Sequence, residues 1–192
     1  KTVREKLWQL TGSHGKMTEE EMRKSWAAYY VLTASVDNQV GRVMEALRQR
    51  NLLENTIVVF ASDQGVQMGE HGIYMKRNFY EQTVLCPLII SWPGHMPQGM
   101  RVDSQFEMID IMPTLFDYAG LSTVEGINGR SLRPVISGET SEHREFAFSE
   151  IDHSVSQYDI LQEGTGRRVM IRTNEWKMIY NFNLEERDGA LY

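Results

Sequence analysis

Asp63 and Gln64 stand side by side in the run Ser62-Asp63-Gln64-Gly65, directly after a block of apolar residues. A carboxylate next to a side-chain amide offers two hard oxygen donors, the type that calcium or magnesium takes. The same pair also suits an Asx-type turn at a strand end. Lys76 follows thirteen residues later, with Arg77 beside it. Two cations near a carboxylate could hold an anionic substrate against a metal, or form a solvated basic pair in a loop. His71, in Gly69-Glu70-His71-Gly72, has the chemistry of a ligand, an acid/base or a turn residue. Nothing local chooses among these.

The flanking elements say where such groups would be held. Thr56-Ile57-Val58-Val59-Phe60-Ala61 runs apolar on both faces. A strand without alternation suits a parallel sheet covered by helices on both sides. Ligands of open α/β sheets bind beyond the C-terminal ends of the strands, which is where Asp63 lies. Pro87-Leu88-Ile89-Ile90-Ser91-Trp92 reads as a second such strand, closed by Pro93-Gly94. Between them, Gly65, Gly69 and Gly72 predict an irregular segment long enough to form part of a pocket.

Upstream, Thr18 and Glu21 have capping-box spacing. Tyr29, Thr33, Val36, Val40, Val43 and Leu47 then recur every three or four residues. That pattern predicts one face of an amphipathic helix of roughly eight turns, with the face in the core. Downstream, residues 109–120 read as a short helix with Asp110 at its N-cap, Pro113 in its first turn and Gly120 at its C-cap. Residues 145–151 and 168–180 read as strands of a small antiparallel sheet, with a turn at Asn174-Glu175. The expected fold is α/β. A mostly parallel sheet flanked by helices occupies residues 1–140, and a small, incomplete C-terminal α+β subdomain occupies 141–192.

Composition narrows the class. The 192 residues are 41% apolar and 24% charged, which is ordinary for a globular chain and excludes collagen-like or disordered types. A net charge of −6 without a basic block argues against nucleic acid as a major partner. No apolar run approaches the ~20 residues that span a bilayer. The single cysteine, Cys86, excludes an intrachain disulfide. The chain opens on Lys1-Thr2 and closes on Leu191-Tyr192, and both ends read as cut from something longer.

The order of the motifs carries a resemblance. Residues 55–65, then Met68-Gly69-Glu70-His71-Gly72, Lys76-Arg77, Tyr80-Glu81 and Cys86-Pro87-Leu88-Ile89-Ile90, resemble the type I sulfatase family of the alkaline phosphatase superfamily. The long helix with Ala34-Ser35-Val36-Asp37 and Gln39-Val40-Gly41-Arg42, the stretch from Val102 to Gly120, the loop Gly129-Arg130-Ser131-Leu132, the region from Arg172 to Lys177 and the terminal Leu191-Tyr192 extend it over most of residues 25–192.

The resemblance implies sulfate-ester hydrolysis. A formylglycine made from Cys or Ser attacks sulfur. A divalent cation, usually calcium, neutralises sulfate oxygens. Lysines and histidines stabilise developing charge and protonate the leaving alcohol. By position, Asp63 becomes a metal ligand, and Gln64 stands where the family has His or Asn. Lys76 becomes the lysine on the sulfate, with Arg77 and His71 as further substrate contacts. Such roles suit a transfer that spreads negative charge over oxygens.

The family's Cys/Ser-x-Pro-x-Arg nucleophile motif is missing. Cys86 is followed directly by Pro87, and Ser91-Trp92-Pro93-Gly94-His95 ends in His. The family's paired aspartates and upstream histidine are missing too. The chain therefore reads as the C-terminal part of a sulfatase, with the formylglycine in the N-terminal half. Sulfated carbohydrate is the expected substrate. A phosphonate monoester or phosphodiester hydrolase of the same superfamily is one alternative, although those enzymes usually carry His at the Gln64 position. A non-catalytic relative that binds sulfated glycans is another. The family implies an exported or lysosomal setting. Without its other half, the chain is expected to expose apolar surface and self-associate.

Overall fold

A computed structural model of the chain describes residues 17–76, 78–152, 167–182 and 189–191. The chain divides into two compact units, and the division passes through strands β1 and β4. Of the described residues, the first unit takes 17–56 and 60–89 except 77, and the second takes 57–59, 90–152, 167–182 and 189–191.

The first unit opens with α1 (Glu19–Gln49). Its start is the expected capping box. The Glu21 N–H donates to Thr18 Oγ1 at 3.3 Å, and the Thr18 N–H donates to the Glu21 carboxylate at 2.7 Å. Such a cap is worth about 0.5–2 kcal/mol. Glu19–Arg23 and Glu20–Lys24 pairs line the exposed first turns. The expected core face is not covered. No residue of α1 is buried, and Tyr30, Val31 and Leu32 are 71%, 69% and 65% exposed. Residues 27–36 are mostly apolar around the whole circumference, a composition found in helices enclosed by a larger protein. The period of the stripe is helical as expected, but α1 packs mainly on strand β2 and the 3₁₀ turn Leu53–Asn55.

Strand β1 (Val58–Ala61) pairs with β4 (Leu88–Ser91) in a two-stranded sheet. Both strands are shorter than their apolar runs, and they are not sealed on both faces. Phe60 is 36% and Ile89 60% exposed. Burial of a parallel strand depends on helices at both sides, and the described elements do not supply them. The intervening segment is more regular than its glycines suggest. β2 (Gln67–Met68) and β3 (Tyr74–Met75) form a tight antiparallel hairpin, with Gln67 opposite Met75 and Met68 opposite Tyr74. A short helix, α2 (Glu81–Val84), follows.

The second unit is built around α3 (Ile111–Tyr118), entered through a 3₁₀ turn at Met108–Asp110. Gly120 has φ +69° just past the helix, and the Leu121 N–H returns to the Phe116 carbonyl at 2.9 Å. That is the left-handed helix stop glycine permits. Asp110 does not cap α3 as expected. Its carboxylate instead accepts the Glu107 N–H, the Arg130 N–H and the Arg144 guanidinium, and lies 3.0 Å from His143 Nε2. The loop after Gly129 docks along one helix face. Arg130 N–H reaches Asp110, Leu132 N–H reaches Thr114 Oγ1, and the Ser131 hydroxyl donates to Asp117. Positions 110, 114 and 117 are one side of a helix. A Cβ on Gly129 would lie 2.1 Å from the Ile109 carbonyl oxygen, so only glycine lets this loop approach. A short helix, α4 (Arg133–Ile136), follows.

The C-terminal antiparallel sheet is as expected. β5 (Ala147–Asp152), β6 (Arg167–Arg172), β7 (Lys177–Asn181) and β8 (Gly189–Leu191) pair in that order. The expected turn sits between β6 and β7. There Thr173 Oγ1 accepts the Glu175 and Trp176 N–H groups.

Candidate active site

The geometry of the candidate site lies within the first unit. β1 ends at Ala61, and the next three residues turn sharply. The Ser62 hydroxyl donates to the Gln64 carbonyl at 2.7 Å. The Ser62 N–H points to the Pro87 carbonyl at 3.4 Å, and the Gly65 N–H donates to the Thr83 carbonyl at 2.8 Å. The turn is thus pinned on both sides. A Cβ at Gly65 would lie 1.9 Å from the Gln82 carbonyl oxygen, so Gly65 is what allows the turn to press on α2.

This turn holds Asp63 exposed and Gln64 half-buried. The Asp63 carboxylate has no hydrogen bond or ion pair among the described residues, and neither has the Gln64 side-chain amide. Two free oxygen donors on adjacent residues fit one edge of a calcium shell, which needs six to eight. No group of three or more His, Cys, Asp or Glu converges among the described residues. The remaining donors would be oxygens from elsewhere in the parent protein. Asp63 also acts on Cys86. Burial first, and then the Asp63 charge, raise the Cys86 thiol above its ordinary value. That is the opposite of what a thiolate nucleophile needs.

The β2–β3 ladder ends one residue before Lys76. Met75 is opposite Gln67, so the next opposed pair would join Lys76 to Val66, two residues from Gln64. Lys76 is exposed and makes no ion pair among the described residues. Arg77 lies outside the described residues. His71 sits at the hairpin tip in a left-handed conformation, φ +56° and ψ +13°. Its ring is exposed and stacks on Tyr80 at 4.1 Å. The tip is tied down as well. The Glu70 carboxylate accepts the Met68 N–H, and the Trp26 indole N–H donates to the Met68 carbonyl. Asp63, Gln64 and Lys76 are therefore positioned by one turn and one hairpin, with His71 at the hairpin's far end.

Sequence reasoning missed a group of amides behind this site. Gln67 is fully buried, and its Nε2 points to Asn78 Oδ1 at 3.5 Å and Gln82 Oε1 at 3.4 Å. Asn78 Oδ1 also accepts from the Tyr80 N–H and the Thr83 hydroxyl. The Asn78-to-Tyr80 contact is an Asx-type turn, for which asparagine is a legible signal. A lone glutamine in a glycine-rich stretch gives no such signal.

Residues 8–121 match the sequence profile of the family described as Sulfatase. Residues 69–192 match that of the N-sulphoglucosamine sulphohydrolase C-terminal region. The chain belongs to the type I sulfatase family. It is 34% identical over 173 residues to human arylsulfatase K, covering 86% of this chain and 30% of that protein. Among solved structures, a protein in complex with its substrate D-glucosamine-2-N,6-O-disulfate aligns with a TM-score of 0.72 and 32% identity, over 83% of this chain and 32% of that one. The phosphonate monoester hydrolase of Silicibacter pomeroyi aligns with a TM-score of 0.81 and 30% identity, over 91% and 36%. These neighbours carry the alkaline-phosphatase-like α/β fold, of which this chain is the C-terminal part. The chain spans about 30% of the length of the curated relatives it matches.

Proposed function

We propose that this chain is the C-terminal part of a sulfuric ester hydrolase and supplies part of its metal and sulfate site. The observation that carries the reading is the β2–β3 register, which continued by one pair would set Lys76 opposite Val66, two residues after Gln64. Asp63 and Gln64 give oxygen donors to a divalent cation, calcium by resemblance, which when bound would neutralise sulfate oxygens. Lys76 offers a mobile ammonium on a fixed backbone to the transferred sulfate. By resemblance, Arg77, next to Lys76 in sequence, and His71, at the hairpin tip, would contact the rest of the substrate. The formylglycine belongs to the N-terminal half. The substrate class is a sulfated small molecule or glycan, supported by likeness to a protein solved with a sulfated glucosamine.

The likeness to a phosphonate monoester hydrolase favours one second reading, phosphonate or phosphodiester hydrolysis by the same site. Both readings are tested on the parent enzyme with an aryl sulfate, a phosphonate monoester and a phosphodiester in calcium buffer. A kcat/KM highest for the sulfate supports the sulfatase. A preference for either phosphorus ester would replace it. No turnover of any of the three, with intact calcium and sulfated-glycan binding, would point to a non-catalytic binder.

A further inference from the structure

Lys76 is exposed and follows a two-residue strand, so to serve the site proposed above its backbone needs support from outside that ladder. The structure assigns that task to Asn78, as a positioning residue for the reaction proposed above. The inference rests on that reading. The Asn78 side chain is where three segments of the first unit meet. Its Oδ1 accepts the Tyr80 N–H at 3.0 Å, which folds the chain just after Lys76. It accepts the Thr83 hydroxyl at 2.9 Å, on the α2 residue whose carbonyl holds Gly65. It also faces the Nε2 of the buried Gln67, three residues after Gln64, at 3.5 Å. One oxygen thus ties the Lys76 segment, the Asp63–Gln64 segment and α2 together.

The satisfaction of these amides is uneven. Among the described residues, Asn78 Nδ2 and Gln67 Oε1 are both buried without a hydrogen-bond partner. Buried orphan atoms are uncommon in folded proteins and call for an explanation when they occur. Here the tether uses the Asn78 oxygen three times and leaves the amide nitrogen idle. Reacting groups tolerate little misplacement, and an error of about 1 Å can cost on the order of a hundredfold in rate. An Asn78 tether that sets the Lys76 position would therefore be felt in kcat.

The test uses the parent enzyme with an aryl sulfate, in saturating calcium. Wild type and Lys76→Ala come first. If wild type hydrolyses no sulfate ester, or Lys76→Ala is silent, the functional reading fails and this inference falls with it. If both behave as expected, Asn78→Ala, Asn78→Ser and the double variant Lys76→Ala/Asn78→Ala follow. Serine is one bond shorter. Its hydroxyl can still accept an N–H two residues on, but it does not reach Gln67 and Thr83. Asn78→Ala and Asn78→Ser are each expected to lower kcat roughly ten- to hundredfold. Asn78→Ser should recover the melting temperature that Asn78→Ala loses. In the Lys76→Ala background, the Asn78→Ala change should cost less than about threefold, because there is no ammonium left to misplace. Full additivity in the double variant would overturn the proposal. So would recovery of kcat together with stability in Asn78→Ser, which would make Asn78 only a turn cap. If Asn78→Ala does not fold, Asn78→Ser in the Lys76→Ala background decides by the same criterion.

Discussion

Gln67 stands directly opposite Met75 in the β2–β3 hairpin. Continued by one pair, that register would set Lys76 opposite Val66, two residues after Gln64. A slip of one residue would send every side chain of the hairpin to its other face. The register is held at the tip by the Gly69 N–H donating to the Ile73 carbonyl, and outside by the Trp26 indole on Met68.

Asp63 has a free carboxylate at a strand's C-terminal end, so its oxygens should go to the metal. In the parent enzyme, Asp63→Asn is expected to remove the calcium-dependent rise in melting temperature and most turnover. Thermal melts with calcium and with chelator, beside an aryl sulfate assay, check this. Wild-type activity in the variant would end the assignment.

Lys76 offers an exposed ammonium to developing negative charge. Its loss should cost roughly 2.7–4 kcal/mol in the barrier, the range for a single charge-stabilising donor. The measurement is kcat of Lys76→Ala with folding checked by circular dichroism. A loss under tenfold would shift the role to Arg77.

Much of this geometry was legible because its signals are local. The capping box at Thr18 and Glu21, the stop at Gly120 and the turn at Thr173 each depend on residues within five positions of one another. The role of Asp110 was not legible. Its partners Arg130, His143 and Arg144 lie 20 to 34 residues away. The hairpin was hidden too, since two-residue strands show no period. The α1 stripe was read with the right period and the wrong environment, because burial is set by whatever packs on a helix, not by its own pattern. Asp63 and Lys76 were found by residue type and order. What fixes them, Gly65 against Gln82 and Asn78 against Gln67, comes from tertiary contact alone.

Gly65 should be intolerant of any side chain. A Cβ there would meet the Gln82 carbonyl oxygen at 1.9 Å and its carbon at 2.9 Å, both backbone atoms that cannot swing aside. Relief of such crowding costs about 1–3 kcal/mol and would displace the turn bearing Asp63 and Gln64. Gly65→Ala is expected to weaken calcium stabilisation and lower kcat together. Normal calcium half-saturation with normal kcat would show that the turn has slack.

Asp110 and Arg144 should dominate the acid stability of the second unit. Burial alone would push the Asp110 carboxyl upward, but hydrogen bonds from Arg144, the Arg130 and Glu107 N–H groups and His143 outweigh it and leave it below the usual range. As pH falls, the unfolded chain takes up the proton first. The contribution is therefore complete above the unfolded value of about 3.9 and is lost as pH falls through the folded one. Asp110→Asn removes the main partner of the buried Arg144, leaving it Glu107 at 3.5 Å and the Asn128 carbonyl, and should cost up to about 3–5 kcal/mol near neutral pH. It should also flatten the stability profile below roughly pH 4. Denaturant melts across pH decide this. An unchanged acid slope would mean that other carboxylates set it.

The 192-residue chain by itself is expected to be inactive and prone to associate. Tyr30, Val31, Leu32 and Val36 form exposed apolar surface on α1, and Phe60 and Ile89 add to it on the β1–β4 pair. A patch of that kind favours contact with another molecule, and a two-stranded sheet leaves open edges that pair with a second chain. The one cysteine has a thiol raised by burial and by Asp63, which disfavours the thiolate a nucleophile needs. Light scattering on the purified chain should show dimers or larger species, and addition of the N-terminal half should reduce them. An aryl sulfate assay in calcium buffer should stay at background for the chain alone. A monodisperse monomer would show that the α1 surface needs no cover, and multiple turnovers would show that a residue within this chain serves as nucleophile.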